Sequence, residues 1–193
     1  MLELLQAIGF SAPAGLNAYL TLLLVGLAGR FGLVDLTGTW GDRLTNPYVL
    51  GALVLLTAWE IAVDKIPGAD NLNDIVGTVV RPLSGAVLML VTPNPLAEEQ
   101  PVAAITLGAG LAGLVHVLKS VVRPFVTVST AGFGTPVVSA AEDTAAVGTV
   151  LIALVVPALI LVLLIGVAAF SWWVFVRWRR RRSARGFSGS DFD

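Results

Sequence analysis

Cysteine is absent from the chain and histidine occurs once. The first absence excludes disulfides, thiolate metal sites and cysteine nucleophiles. The second excludes a zinc site built on several histidines. Charge is also scarce, because only 13% of the 193 residues are charged, against roughly a quarter in soluble domains. Apolar residues fill the space, at 56% of the chain, and the mean hydropathy is +0.85. This balance predicts an integral membrane protein. Ala12-Pro13-Ala14 imitates a leader-peptide cleavage site. Glu3 stands where a basic region belongs, however, and the apolar run before it is short, so the first segment is read as a retained span.

The charges that remain are unevenly placed. Six of the twelve basic residues, Arg177, Arg179, Arg180, Arg181, Arg182 and Arg185, crowd the C-terminal stretch. Trp172, Trp173 and Trp178 precede or interleave with them. An aromatic belt followed by arginines marks the cytoplasmic face of a span. We therefore expect an all-α helical bundle at 1–176, then a basic cytoplasmic tail at 177–193 with a disordered SGSDFD end. The expected location is the inner (plasma) membrane, multi-pass, with the C-terminus cytoplasmic.

Hydropathy divides the bundle. Residues 4–29 are apolar and long enough to cross ~30 Å of hydrocarbon, but Ser11, Pro13, Gly15 and Asn17 interrupt them, so a kinked or broken helix is expected. A polar connection at 30–46 carries Asp35, Trp40, Asp42 and Arg43, with Trp40 expected at the interface. The second span, 47–65, ends with Thr57, Glu60 and Asp64 on one face by three- and four-residue spacing. In the third, Asn71, Asp74, Thr78 and Arg81 share a polar seam before Pro82. The fourth, 102–122, has a ridge of Ala104, Gly108, Ala112, His116 and Ser120, which permits close helix contact. His116, Lys119 and Arg123 form a basic patch at its end.

Residues 123–143, RPFVTVSTAGFGTPVVSAAED, are too long and too rich in hydroxyls for an ordinary connection. We expect a broken or re-entrant segment near 124–143, then a final span over 144–176 that must tilt strongly, kink at Pro157 or project from the membrane. Counting this segment as a crossing gives about six. Lys65, Arg81, Lys119 and Arg123 then lie inside, and Glu98, Glu99, Glu142 and Asp143 lie outside, in keeping with the positive-inside bias. GFxxP occurs twice, at 9–13 and 132–136, as internal repeats in transporters sometimes show.

Each charge at a helix centre costs about 2.5–3.5 kcal/mol on insertion scales, so these groups must pair or be hydrated. The candidate binding residues are Asn17, Glu60, Asp64, Asp74, Arg81, His116, Lys119, Arg123, Ser129, Thr130, Thr135, Glu142 and Asp143. The preferred reading is a small transporter or channel-like protein for an ion, a small polar solute or an anionic lipid headgroup, without a cofactor. The lipid bilayer is the expected surrounding partner, nucleic acid is not expected, and a homo-oligomer remains open. Two alternatives stand beside it. One is a divalent-metal lipid-phosphate phosphatase, in which Asp74, Glu142 and Asp143 hold the metal and Arg81, Lys119 and Arg123 clamp phosphate. The other is a non-catalytic scaffold or subunit.

The segment from Arg123 to Ala146, with its basic-Pro pair, TAGFG and Glu142-Asp143, resembles the motif of membrane phosphatidylglycerophosphatases, with glutamate in place of the first of their paired aspartates. Over nearly its full length, through APAGLNAYL, the VVRP segments and STAGFGTPVVSAAED, the chain resembles a family of bacterial polytopic membrane proteins classed as a domain of unknown function. That resemblance implies a multi-pass helical fold and no particular activity.

Overall fold

The computed structural model describes residues 1–66 and 69–185 and, within them, leaves out the side chains of 69–72, 158, 164, 171, 174, 175 and 178–185. All regular structure in the described residues is helical: α1 Leu2–Ser11, a short 3-10 turn Ala12–Gly15, α2 Ala18–Arg30, α3 Gly38–Leu44, α4 Pro47–Val63, α5 Ala69–Val91, α6 Pro95–Glu99, α7 Pro101–Ser129, α8 Thr135–Val155 and α9 Ala158–Arg185. The expected SGSDFD end and the Asn71 member of the polar seam lie outside the described residues and side chains.

The helix boundaries follow local chemistry. Pro13 lies in the 3-10 turn after α1, and Asn17 restarts the helix as the cap of α2, accepting from the Leu20 N–H at 3.0 Å. The first segment is therefore two helices with a break. Asn46 and Pro47 open α4 in the same way, the Asn46 side chain accepting from the Tyr48 N–H. Helices α3 and α4 meet at 66°. Asn94 caps α6 and is almost fully buried, its amide donating to the Met89 and Thr92 carbonyls.

Helices α5 and α7 pack with their backbones nearly touching at two glycines. A Cβ on Gly85 would collide with the Gly108 carbonyl oxygen and come 2.6 Å from Ala112 Cβ. One on Gly108 would strike the Gly85 carbonyl. The ridge Ala104, Gly108, Ala112 and His116 is buried along this contact, and Met89, Ala104 and Ala7 form a small apolar core beside it. Gly15, in the 3-10 turn, presses on the Ala112 carbonyl from the other side. Outward faces carry exposed Leu55, Trp59, Ile75, Val79, Val121 and Phe125, as a lipid-facing surface would.

Among the described residues, three stretches are long and apolar enough to cross a membrane, Asn73–Val91, Pro101–Ser129 and Thr135–Val155, or four if the bent α3–α4 pair is one span. This makes a helical membrane protein, while the six crossings expected from the sequence are not confirmed. The break expected near 124–143 falls at 130–134: the residues before it complete α7 and those after it open α8. The final apolar run is likewise divided, because α8 ends at Val155 and α9 starts after Pro157, which cannot donate a backbone hydrogen bond.

The chain divides into two units, Met1–Ile160 and Leu161–Asp193. In the second, the Phe170 and Trp173 rings stack with centroids 6.0 Å apart, and the Arg177 guanidinium lies 4.7 Å from the centroid of the Trp173 ring. The first unit contains the polar network described next.

Candidate functional site

Four helices and one helix break bring ten of the thirteen candidate residues together. Glu60 and Asp64 stand four residues apart at the end of α4, so they share a face and are both buried. Asp74 and Arg81 come from α5, His116, Lys119 and Arg123 from α7, and Glu142 and Asp143 from α8. Asn17 comes from the break before α2. His116, Lys119 and Arg123 are each 4% exposed and Arg81 is fully buried. Carboxylates emerging into water, the simple reading of an acidic helix end, do not describe Glu60 and Asp64.

One half of the network is a closed ring. Asp64 Oδ2 accepts from Lys119 Nζ at 3.0 Å and from Arg123 Nη2 at 2.8 Å. Glu142 Oε2 faces the same two atoms, 3.2 Å from Lys119 Nζ and 2.6 Å from Arg123 Nη2. Two cations thus alternate with two carboxylates, which offsets the desolvation of all four. Lys119 spends its third donor on the Leu16 carbonyl at 2.7 Å, a group left exposed by the break between α1 and α2. Asn73 donates to the other oxygen of Asp64 at 2.7 Å.

The second half centres on Arg81. Its Nη1 reaches Asp74 Oδ1 at 2.9 Å and His116 Nδ1 at 2.6 Å, while Nη2 reaches Glu60 Oε1 at 3.2 Å. Guanidinium nitrogens only donate, so Nδ1 of His116 accepts and carries no proton. His116 Nε2 then holds the ring proton and donates to Thr78 Oγ1 at 3.1 Å, and Thr78 passes its own hydroxyl proton to the Asp74 carbonyl at 3.0 Å. The imidazole is neutral in this arrangement, so among the described residues Arg81 is the one cation within ion-pair distance of both Glu60 and Asp74, with Lys119 and Arg123 acting on them from farther away. The second Glu60 oxygen meets the Tyr19 N–H at 3.4 Å.

The periphery is looser. Asn17 donates to Asp143 Oδ1 at 2.9 Å, and Lys65 Nζ lies 4.0 Å from the other carboxylate oxygen. Among the described residues, the buried hydroxyls of Thr57 and Ser139 and Nε of Arg81 have no hydrogen-bond partner.

The remaining three candidates lie away from this network. Ser129 and Thr130 are exposed, and their hydroxyls donate to the Val126 carbonyl. Thr130 also accepts from the Gly134 N–H at 2.9 Å, so these side chains close a turn. Thr135 is buried but bonds Thr127 at 3.1 Å. Sequence reasoning missed Asn73, Tyr19 and the Leu16 carbonyl; the broken helix was the one signal that could have pointed to the last. Asp74, Glu142 and Asp143 do not share a metal-binding point, and no group of three or more His, Asp or Glu side chains that could hold a metal forms among the described residues. Each of the three is instead engaged by a donor from Arg81, from Lys119 and Arg123, or from Asn17.

No curated protein and no solved structure matches the chain. The family comparison covers nearly the same length as the helical bundle. With residues 4–177 matching the family model described as a domain of unknown function (DUF4126), the chain belongs to that family.

Proposed function

We propose that the protein is a small multi-pass transporter or channel-like protein of the plasma membrane, with its C-terminus cytoplasmic, and that it exchanges a proton or monovalent cation at Glu60. The observation that carries this reading is the charge imbalance around Arg81: Glu60 and Asp74 share one guanidinium while His116 accepts from it. Arg81 and His116 lie well inside two helices long enough to span a bilayer. An uncompensated carboxylate at such a depth costs about 2.5–3.5 kcal/mol on insertion scales. One bound proton or small cation removes that cost, and releasing it restores the charge. The ring of Asp64, Lys119, Glu142 and Arg123 has both signs balanced and serves as the fixed framework against which Glu60 changes state. The cations of the network already face carboxylates, which favours a cation over an anionic headgroup as the species exchanged here.

Flux in liposomes holding a trapped pH indicator, with the potential set by a potassium gradient and valinomycin, tests the proposal. Expected is a proton flux above that of empty liposomes, abolished in Glu60→Gln. Parallel runs with sodium- and potassium-sensitive indicators, the potassium runs without valinomycin and each compared with empty liposomes, identify a cation if protons do not move. No flux of any of the three, or equal flux in Glu60→Gln, overturns it.

A further inference from the structure

A cleft of about 370 Å³ lies among α2, α3, α4 and α5; Tyr19, whose N–H meets Glu60, lines it, but none of the network's charged side chains does. Leu22, Leu44, Leu53, Leu83 and Val87 are among the apolar side chains that line it. Ser84 also lines it, but its hydroxyl donates to the Val80 carbonyl at 2.8 Å and is already satisfied. One charge belongs to the cleft, that of Arg43. Its guanidinium lies 5.0 Å from the centroid of the Trp40 ring, and both side chains line the cavity. Arg43 is exposed, and among the described residues no carboxylate lies within ion-pair distance of it.

An apolar cleft with one cation at its side complements a molecule with an alkyl chain and a single anionic head. A guanidinium offers paired N–H groups that match phosphate oxygens. An indole prefers the boundary between hydrocarbon and water, and α3, which carries both residues, is turned 66° from α4. We propose that this cleft is a binding site for an anionic phospholipid, with an acyl chain along the leucine walls and the phosphodiester on Arg43. The site is independent of the proton or cation reading at Glu60, because none of the network's charged side chains lines it.

The full chain with Trp59, Trp172, Trp173 and Trp178 replaced by Phe leaves Trp40 as the only indole. Its fluorescence is read in phosphatidylcholine nanodiscs containing rising fractions of acyl-brominated phosphatidylglycerol, and separately of acyl-brominated phosphatidylcholine. Half-quenching is expected at about one-fifth the fraction for the anionic lipid, the preference one cation gives at a membrane surface. Arg43→Gln should erase the difference and Arg43→Lys should keep most of it. The unaltered sequence, examined by native mass spectrometry after purification from mixed lipid, should retain phosphatidylglycerol over phosphatidylcholine by a similar factor, and Arg43→Gln should lose that excess. Equal quenching by the two lipids overturns the proposal, since the cleft would then hold ordinary boundary lipid. An unchanged preference in Arg43→Gln, or displacement of the lipid by millimolar inorganic phosphate, overturns it as well.

Discussion

Arg81 Nη1 lies 2.6 Å from His116 Nδ1, and this contact fixes the tautomer of the single histidine in the chain. A guanidinium cannot accept, so the imidazole must. Because there is one histidine, selective ¹⁵N-histidine labelling reports it without assignment. We expect two well-separated nitrogen resonances near neutral pH, with the proton on Nε2. Protonation of both nitrogens would add a cation and remove the excess negative charge that the Glu60 proposal requires, whereas a proton on Nδ1 alone would contradict the contact with Arg81. Thr78→Val should leave Nδ1 as the acceptor while changing the Nε2 environment, because it deletes the other partner of the ring.

The ring of Asp64, Lys119, Glu142 and Arg123 predicts strong non-additivity. Removing one member leaves buried charges of one sign in excess. Asp64→Asn should therefore cost about 3–5 kcal/mol of stability, as broken buried pairs do. Combining it with Lys119→Met removes a charge of each sign, so the double variant should lose well under the sum of the two single losses. Unfolding in mixed micelles, read by tryptophan fluorescence, checks this. Additive losses would mean that the two side chains do not share the close contact seen at 3.0 Å.

Much of this ring was legible before the structure. Thr57, Glu60 and Asp64 on one strip of α4, and His116, Lys119 and Arg123 on one strip of α7, follow from helical spacing alone. Their pairing was not legible, because it depends on how closely α5 and α7 approach and on where the first segment breaks. Segment 123–143 misled for a different reason. Its hydroxyls read as ligands, yet Thr127 and Thr130 each donate to the carbonyl four residues earlier and Ser129 to the one three residues earlier, as such side chains do on helices. Counting apolar residues could not divide 123–143 into two helix ends, since the break needs only residues 130–134.

The two glycines between α5 and α7 make a sharp prediction about packing. Gly85→Ala places a methyl group against the Gly108 carbonyl and Ala112, with backbone on one side that cannot swing away. The expected cost is at least the ~1–3 kcal/mol of an overpacked core. Gly110 lies on the same helix as Gly108 with open space where its Cβ would go. Gly110→Ala should be neutral or stabilising by up to ~1 kcal/mol, because alanine is the better helix former. Thermal stability in detergent separates the two, and equal effects would contradict the close helix contact.

The turn between α7 and α8 holds a strained residue where relief is available. Ala131 has φ +51°, in the left-handed region, and Gly132 follows at φ +88°. For an L-residue with a Cβ that conformation costs roughly 1–2 kcal/mol, which glycine avoids. Part of this gain is offset by the extra backbone freedom glycine brings to the unfolded chain. Ala131→Gly should therefore stabilise the protein slightly, by up to ~1 kcal/mol, while Gly132→Ala should destabilise it by a similar or larger amount. Neither substitution touches the charged network, so flux per folded molecule should be the same in both. A change in flux with stability unaltered would instead tie the turn to transport, and its exposed hydroxyls at Ser129 and Thr130 would regain a role beyond closing two helices.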